Sequence, residues 1–372
     1  MSDKQTFYKD KPYIFVPLVK TVRREPIARR QDALKGECGV LNVTVTARSP
    51  LHFGQGVLKA DYLNNRTEFI HALNRENGHI ALPGSSFKGM LRSFFEAITS
   101  SCVLFCPSNP QLQWALPIMN RNICTTRDGL CPACSLFGCL GYKGKLTFSS
   151  FYTQENTKIN KYIIPQLQTP FRDYPVNDPY QYGRGNERLY YGVLPSEEGT
   201  KVGNLTKAEF FNEKRNKVGS EIKFYGRKFY KHSNKQEIGN DSEGNTYECI
   251  DPDSTLTGTI TYQGLQKDEL AALLFSLGMG WEKPIYHKLG YAKPAYYGSV
   301  SIQVHAADNL KRYTGFGKIR DTQALVELAC DYYTKAIGDV KQAIDVFEQE
   351  WTTLDKPSQW HLPQEGGQNR TY

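Results

Sequence analysis

Cys131 and Cys134 enclose two residues, the spacing at which two thiolates reach one tetrahedral ion. Six of the nine cysteines fall between positions 102 and 139. The opening Met1-Ser2-Asp3-Lys4-Gln5 lacks the apolar core of a signal peptide, so a cytosolic setting is expected, where clustered thiols are metal ligands or buried side chains before they are disulfides. Cys106 and Cys124 are the candidates to complete a four-thiolate set, with Cys102 and Cys139 in reserve. Such a set suits structural zinc: it staples a loop and leaves no open position for chemistry. A group of buried free thiols is the alternative.

Two further stretches have the chemistry to meet an anion. In Leu82-Pro83-Gly84-Ser85-Ser86-Phe87-Lys88, proline and glycine break the preceding structure, and either serine can cap a helix predicted over 85–99. Its apolar positions 87, 91, 94 and 98 follow the helical period, and Lys88 and Arg92 are i,i+4 neighbours. Free amides, a glycine turn and two cations suit a phosphate. The same residues also suit an amphipathic core helix with a solvated basic edge, and both readings stand. Residues 49–61 read as a loop holding His52, Gly54, Gly56, Lys59 and Asp61.

Alternating apolar residues predict strands over 41–47, 146–152, 256–262 and 300–304. A second helix is predicted over 267–277, with Gly278 as its natural stop. The order is strand, helix, strand, then strand, helix, strand. That predicts an α+β protein with a split βαβ, ferredoxin-like core resembling an RNA-recognition motif.

The expected organisation is a basic arm over 1–36, a first half-core over 37–152 with its zinc loop at 102–145, an insertion over 153–254, a second half-core over 255–305, and a helical extension and tail over 306–372. Within the arm, 13–18 suits an edge strand. Val340, Ile344, Phe347 and Trp351 mark a C-terminal helix that docks on the body or on a partner.

A net charge of +8, with 23 tyrosines and 19 phenylalanines, favours an anionic, stackable partner such as nucleic acid. No run of about eighteen apolar residues is present to span a bilayer.

The helix start at 84–92, the motif Cys131-Pro132-Ala133-Cys134-Ser135-Leu136-Phe137-Gly138, and the glycine-rich segment 288–298 together resemble the RAMP superfamily of CRISPR proteins, over roughly 38–152 and 254–305. The zinc motif and the loop after the first strand resemble backbone subunits of type III effector complexes, and Gly226-Arg227-Lys228-Phe229-Tyr230 resembles a segment of insertion-bearing members. The resemblance implies partners: a guide CRISPR RNA, a target RNA and sister subunits. It implies that Ser85, Ser86, Lys88, Arg92, Lys288, Gly290, Lys293 and Gly298 approach guide phosphates. Arg227 and Lys228, with Arg172, Arg184 and Lys231, form a candidate RNA-facing thumb, and Phe53, Tyr225 and Tyr291 are candidates to stack on splayed bases.

In family members that cut target RNA, an aspartate in the loop after the first strand supports cleavage with Mg2+ or Mn2+, by attack of a 2′-hydroxyl on its neighbouring phosphate. Asp61 is the only aspartate in that loop here, and His52 is a second candidate for proton transfer. The rival readings are a non-catalytic scaffold or capping subunit, a stand-alone RAMP endoribonuclease that trims precursor guide RNA, and a zinc-stapled protein-binding module.

Overall fold

The computed structural model describes residues 12–19, 21–26, 36–63, 66–102, 124, 129–165, 167, 193–194, 223–224, 226–239, 244–311, 315–316 and 321–354. The protein is α+β. Its first half contains β1 (Tyr13–Val16), β2 (Glu37–Ala47), β3 (Gly54–Leu63), β4 (Arg66–Leu73), β5 (Arg75–Glu76), β6 (His79–Leu82), α1 (Gly84–Ala97), α2 (Pro132–Phe137), β7 (Leu146–Phe148) and β8 (Phe151–Thr153). There follow β9 (Ile159–Pro165), β10 (Val193–Leu194), β11 (Lys223–Phe224), β12 (Arg227–Tyr230), β13 (Gly244–Ile250), β14 (Thr255–Leu265) and α3 (Lys267–Ser276). The chain ends in β15 (His287–Lys288), β16 (Ser299–Lys311), β17 (Gly315–Phe316), α4 (Thr322–Lys335) and α5 (Gly338–Glu350).

The main sheet runs β15-β16-β2-β14-β8-β6-β5, with β7 beside β14 and β17 on β16. Its ladders are antiparallel. The alternation of β2 puts Leu41, Val43, Val45 and Ala47 on one buried face, against a core shared with Phe87, Leu91 and Phe94 of α1 and Leu270, Leu273 and Leu274 of α3. Gln266 and Glu269 form a capping box at the start of α3, and Gly278 follows its end with a φ of 95°. The C-terminal helices dock on the body: Trp351 stacks on Phe94 at 5.4 Å and 6°, and Phe347 meets the same ring edge-on at 4.7 Å.

A second sheet, β3-β4-β13-β9, grows from one end of the main sheet. Its strands are those that leave β2 and β8 and return to β14, and only β4 and β13 pair in parallel. Among the described residues, β9 and β13 are the part of the insertion that joins this sheet. The edge strand expected at 13–18 is β1, which pairs with β12.

Three local expectations need correction. Helix α1 begins at Gly84 behind Pro83 with no serine cap, because the Pro83 carbonyl accepts the Ser86 and Phe87 amides. Gly84 itself lies against the Ser149 carbonyl, where a side chain would collide. The strand expected over 146–152 is divided at Ser149, whose hydroxyl accepts the Thr259 amide at 2.8 Å. The loop expected over 49–61 ends at Phe53. From Gly54 the chain is already in β3, since β4 supplies a hairpin partner that its weak apolar pattern did not announce, and Asp61 stands on a strand opposite Glu68.

Candidate functional site

Four cysteine sulfurs converge where the end of α1 meets α2. Cys102 Sγ lies 3.6 Å from Cys131 Sγ, 3.7 Å from Cys134 Sγ and 3.8 Å from Cys124 Sγ, and all four are buried. A disulfide would place two sulfurs about 2.05 Å apart. A tetrahedral ion with metal–sulfur bonds of about 2.3 Å sets its sulfurs about 3.8 Å apart, so these separations fit the edges of a four-thiolate metal site. The group could hold a metal ion. Cys106 lies outside the described residues, and the fourth place belongs to Cys102, held in reserve at the sequence level. Cys102 precedes the pair by a long stretch; Ser101 brings it in by accepting the Ala133 amide at 3.0 Å.

Beside this centre lies a carboxylate that sequence reasoning did not single out. Glu96 is buried and accepts Arg92 Nε at 2.8 Å and Arg227 Nη1 at 2.7 Å. Arg92 also donates to the Gly138 carbonyl at 2.6 Å and approaches Cys134 Sγ at 3.5 Å, and Arg227 donates to the Cys102 carbonyl at 3.1 Å. The guanidinium groups thus bind α1, the cysteine loop and β12 into one unit and place positive charge beside the cysteine cluster. The Glu96 signal was its i,i+4 spacing from Arg92.

A second convergence forms where the main sheet meets its extension. Residues 49–53 and the segment 289–298 lie against each other: Tyr291 N–H donates to the His52 carbonyl at 2.9 Å and Gly298 N–H to the Pro50 carbonyl at 3.0 Å. Gly290, at a φ of 78°, lies so close to that His52 carbonyl that no side chain would fit. Lys288 is buried and donates to the Tyr297 carbonyl at 3.0 Å. Burial, and then the neighbouring charge of Lys293, drive its pKa far below the usual lysine value, and burial lowers that of Lys293 too. Neither ammonium has a carboxylate partner among the described residues. Burial without a counter-charge disfavours the charged form of both amines, Lys288 buried and Lys293 half-buried, so an anion brought against them would favour their protonation.

His52 Nδ1 lies 2.6 Å from the Glu248 carbonyl, and burial lowers the ring's pKa. A carbonyl only accepts, so Nδ1 carries the proton of the neutral ring and Nε2 the lone pair. Asp61 lies near the far end of β3, seven strand residues beyond Gly54, and is not brought to His52. It pairs with Lys161 at 2.8 Å, Lys161 reaches Glu68 at 3.3 Å, and the Lys161 hydrogen bond holds the Asp61 carboxyl below its usual pKa. Lys161 was not identified from sequence, because only the register of β9 on β13 brings it there.

A family model described as the RAMP superfamily matches residues 44–290, two thirds of the chain. The chain belongs to the RAMP superfamily. That membership points to CRISPR-associated RNA binding. No curated protein matches the chain. In this RAMP chain the remaining candidates stand apart. Ser85 and Ser86 are exposed in the first turn of α1, and Lys88 is half-buried there, its pKa lowered by that burial and then by Arg92. Lys228 lies over the Tyr13 ring at 3.8 Å and near the Tyr230 ring at 5.5 Å. Arg172, Arg184 and Tyr225 lie outside the described residues. No helix among the described residues is long and apolar enough to cross a membrane.

Proposed function

We propose that this RAMP chain is a backbone subunit of a type III CRISPR effector complex, holding a guide RNA and assembling with sister subunits on a target RNA. The observation that carries the RNA-binding reading is the pair of buried Lys288 and half-buried Lys293, without carboxylate partners among the described residues, in a glycine-rich segment locked onto residues 49–53. A phosphodiester supplies the missing charge, and Gly290 and Gly298 let the backbone come close. Ser85, Ser86 and Lys88, on the open side of α1, add phosphate contacts. Arg92 and Arg227 contribute as the frame of the cysteine centre, where the donor set and sulfur spacing favour structural zinc.

A ferredoxin-like core is supported by the order β16-β2-β14-β7/β8, in which the fourth, first, third and second strands of the predicted core lie side by side with two crossover helices. The setting for such a subunit is the cytoplasm.

Target cleavage is a separate matter. Asp61 would hold a divalent ion or accept a proton; His52, buried before the start of β3 and about 23 Å away at about 3.3 Å per strand residue, does not share a site with it. The ion pair of Asp61 with Lys161 favours the second reading, a non-catalytic scaffold or capping subunit. Affinity-tagged chain, purified from cells that express its neighbouring proteins, should carry a guide RNA of defined length together with sister subunits; random RNA or none would refute the proposal. In the reconstituted complex, Asp61→Asn abolishes target cutting under the catalytic reading and changes nothing under the scaffold reading.

A further inference from the structure

The extension sheet carries an aromatic face of which only Tyr291, at its edge, has a role above. Its register places Tyr62 of β3, Phe69 and His71 of β4, and Tyr247 of β13 on one side. There His71 stacks on Tyr247 at 4.3 Å and 10°, and Tyr247 on Tyr291 at 5.0 Å and 24°. Three near-parallel rings from three separated segments therefore form a column. Its surroundings stay open: Tyr62 is 80 % exposed, Phe69 62 % and Tyr291 40 %. Large aromatic residues left in water on one sheet face are the mark of an unfilled contact.

Two features narrow what fills it. The column ends on Tyr291, two residues from Lys293, which has no carboxylate partner among the described residues. A flat ring surface on the same segment as a lysine without a carboxylate partner suits a nucleotide, with its base on the ring and its phosphate towards the lysine. On the other side of the same sheet, among the described side chains, Lys59 and Arg75 meet Glu248, and Lys161 meets Asp61 and Glu68. A charged strand is therefore attracted to the Lys293 end of the aromatic face and not to the sheet as a whole.

We infer that this face is a stacking platform for unstacked bases of a single-stranded RNA, read without regard to base identity. The inference rests on the RNA-binding reading above and adds where the bases go. Stacking leaves the number of phosphate contacts unchanged, so its signature is a loss of affinity at constant salt dependence.

The test uses the full chain and a fluorescent single-stranded RNA in anisotropy titrations across a salt series, beside an abasic strand of the same length. The abasic strand should bind at least about fivefold more weakly at an equal slope of log K against log salt. Phe69→Leu combined with Tyr291→Leu should lower affinity for the normal strand to a similar degree, and remove the difference between the two strands. Both side chains are exposed, so the variant's melting temperature checks the fold. Lys293→Gln should instead reduce the slope by about one. Equal affinity for both strands would overturn the platform while leaving RNA binding in place. No salt-sensitive binding by wild type would overturn both readings. A variant that binds RNA normally but loses self-association in sedimentation would assign the face to a second copy of the chain, and would overturn the inference as well.

Discussion

Replacing Glu96 tests the packing logic of the cysteine centre. Its side chain is 5 % accessible, and those of its partners Arg92 and Arg227 are 14 % and 7 %. Glu96→Ala leaves two guanidinium groups in the interior without their carboxylate. Breaking a buried ion pair in this way costs about 3–5 kcal/mol, mostly because the remaining charge stays desolvated. At about 2–4 °C per kcal/mol, the thermal midpoint should fall by roughly 6–20 °C. Urea titration should show a lower midpoint at unchanged slope, with metal content measured on the same samples. Arg227→Met relieves part of the loss in the Glu96→Ala background, because one orphaned charge disappears; the two changes should couple by about 1 kcal/mol or more. A fall of less than about 1 kcal/mol in Glu96→Ala, with metal retained, would show that the carboxylate is solvated, and the reasoning about the clamp would be wrong.

Other consequences can be measured directly. Cys102→Ser should strip the bound metal, read by elemental analysis, whereas Cys106→Ser should leave it in place; the reverse pattern would reassign the fourth ligand. His287 donates to the Ser276 carbonyl at 2.9 Å, and burial pushes its pKa down to about 4. The unfolded chain therefore takes up this proton first as pH falls. Stability present above about pH 6.5 is lost progressively down to about pH 4, at about 1.4 kcal/mol per unit of pKa difference, and His287→Gln should flatten that slope. Gly290→Ala should destabilise the chain and weaken RNA binding together, because a methyl group strikes the His52 carbonyl at a left-handed φ; unchanged melting and affinity would contradict the described contact between the two loops.

Much of the scaffold was legible because its signals are local. The alternation of β2, β14 and β16, the period of α1 and the Gly278 stop of α3 each arise within about ten residues, and each element stands close to its expected place. Chain order alone also suggested a second glycine-lysine segment before the last core strand. The Cys131-x-x-Cys134 pair announced a metal-binding group for the same reason.

What tertiary structure decided is who meets whom. Lys88 and Arg92 are alike in sequence, one turn apart on a basic helix edge. Yet Lys88 remains half-open while Arg92 turns into the core, because a buried carboxylate and a cysteine sulfur wait on its side. Arg227 reads as an exposed thumb cation until the pairing of β12 with β1 carries it inward to the same Glu96. Cys102 over any other fourth ligand, Lys161 against Asp61, and the ring column of His71, Tyr247 and Tyr291 are likewise long-range choices. Residue types along the chain determined that this protein has cations, thiols and aromatic rings suited to RNA and metal. Which of them face solvent and which neutralise one another is a matter of desolvation, and desolvation exists only once distant strands have been brought into register.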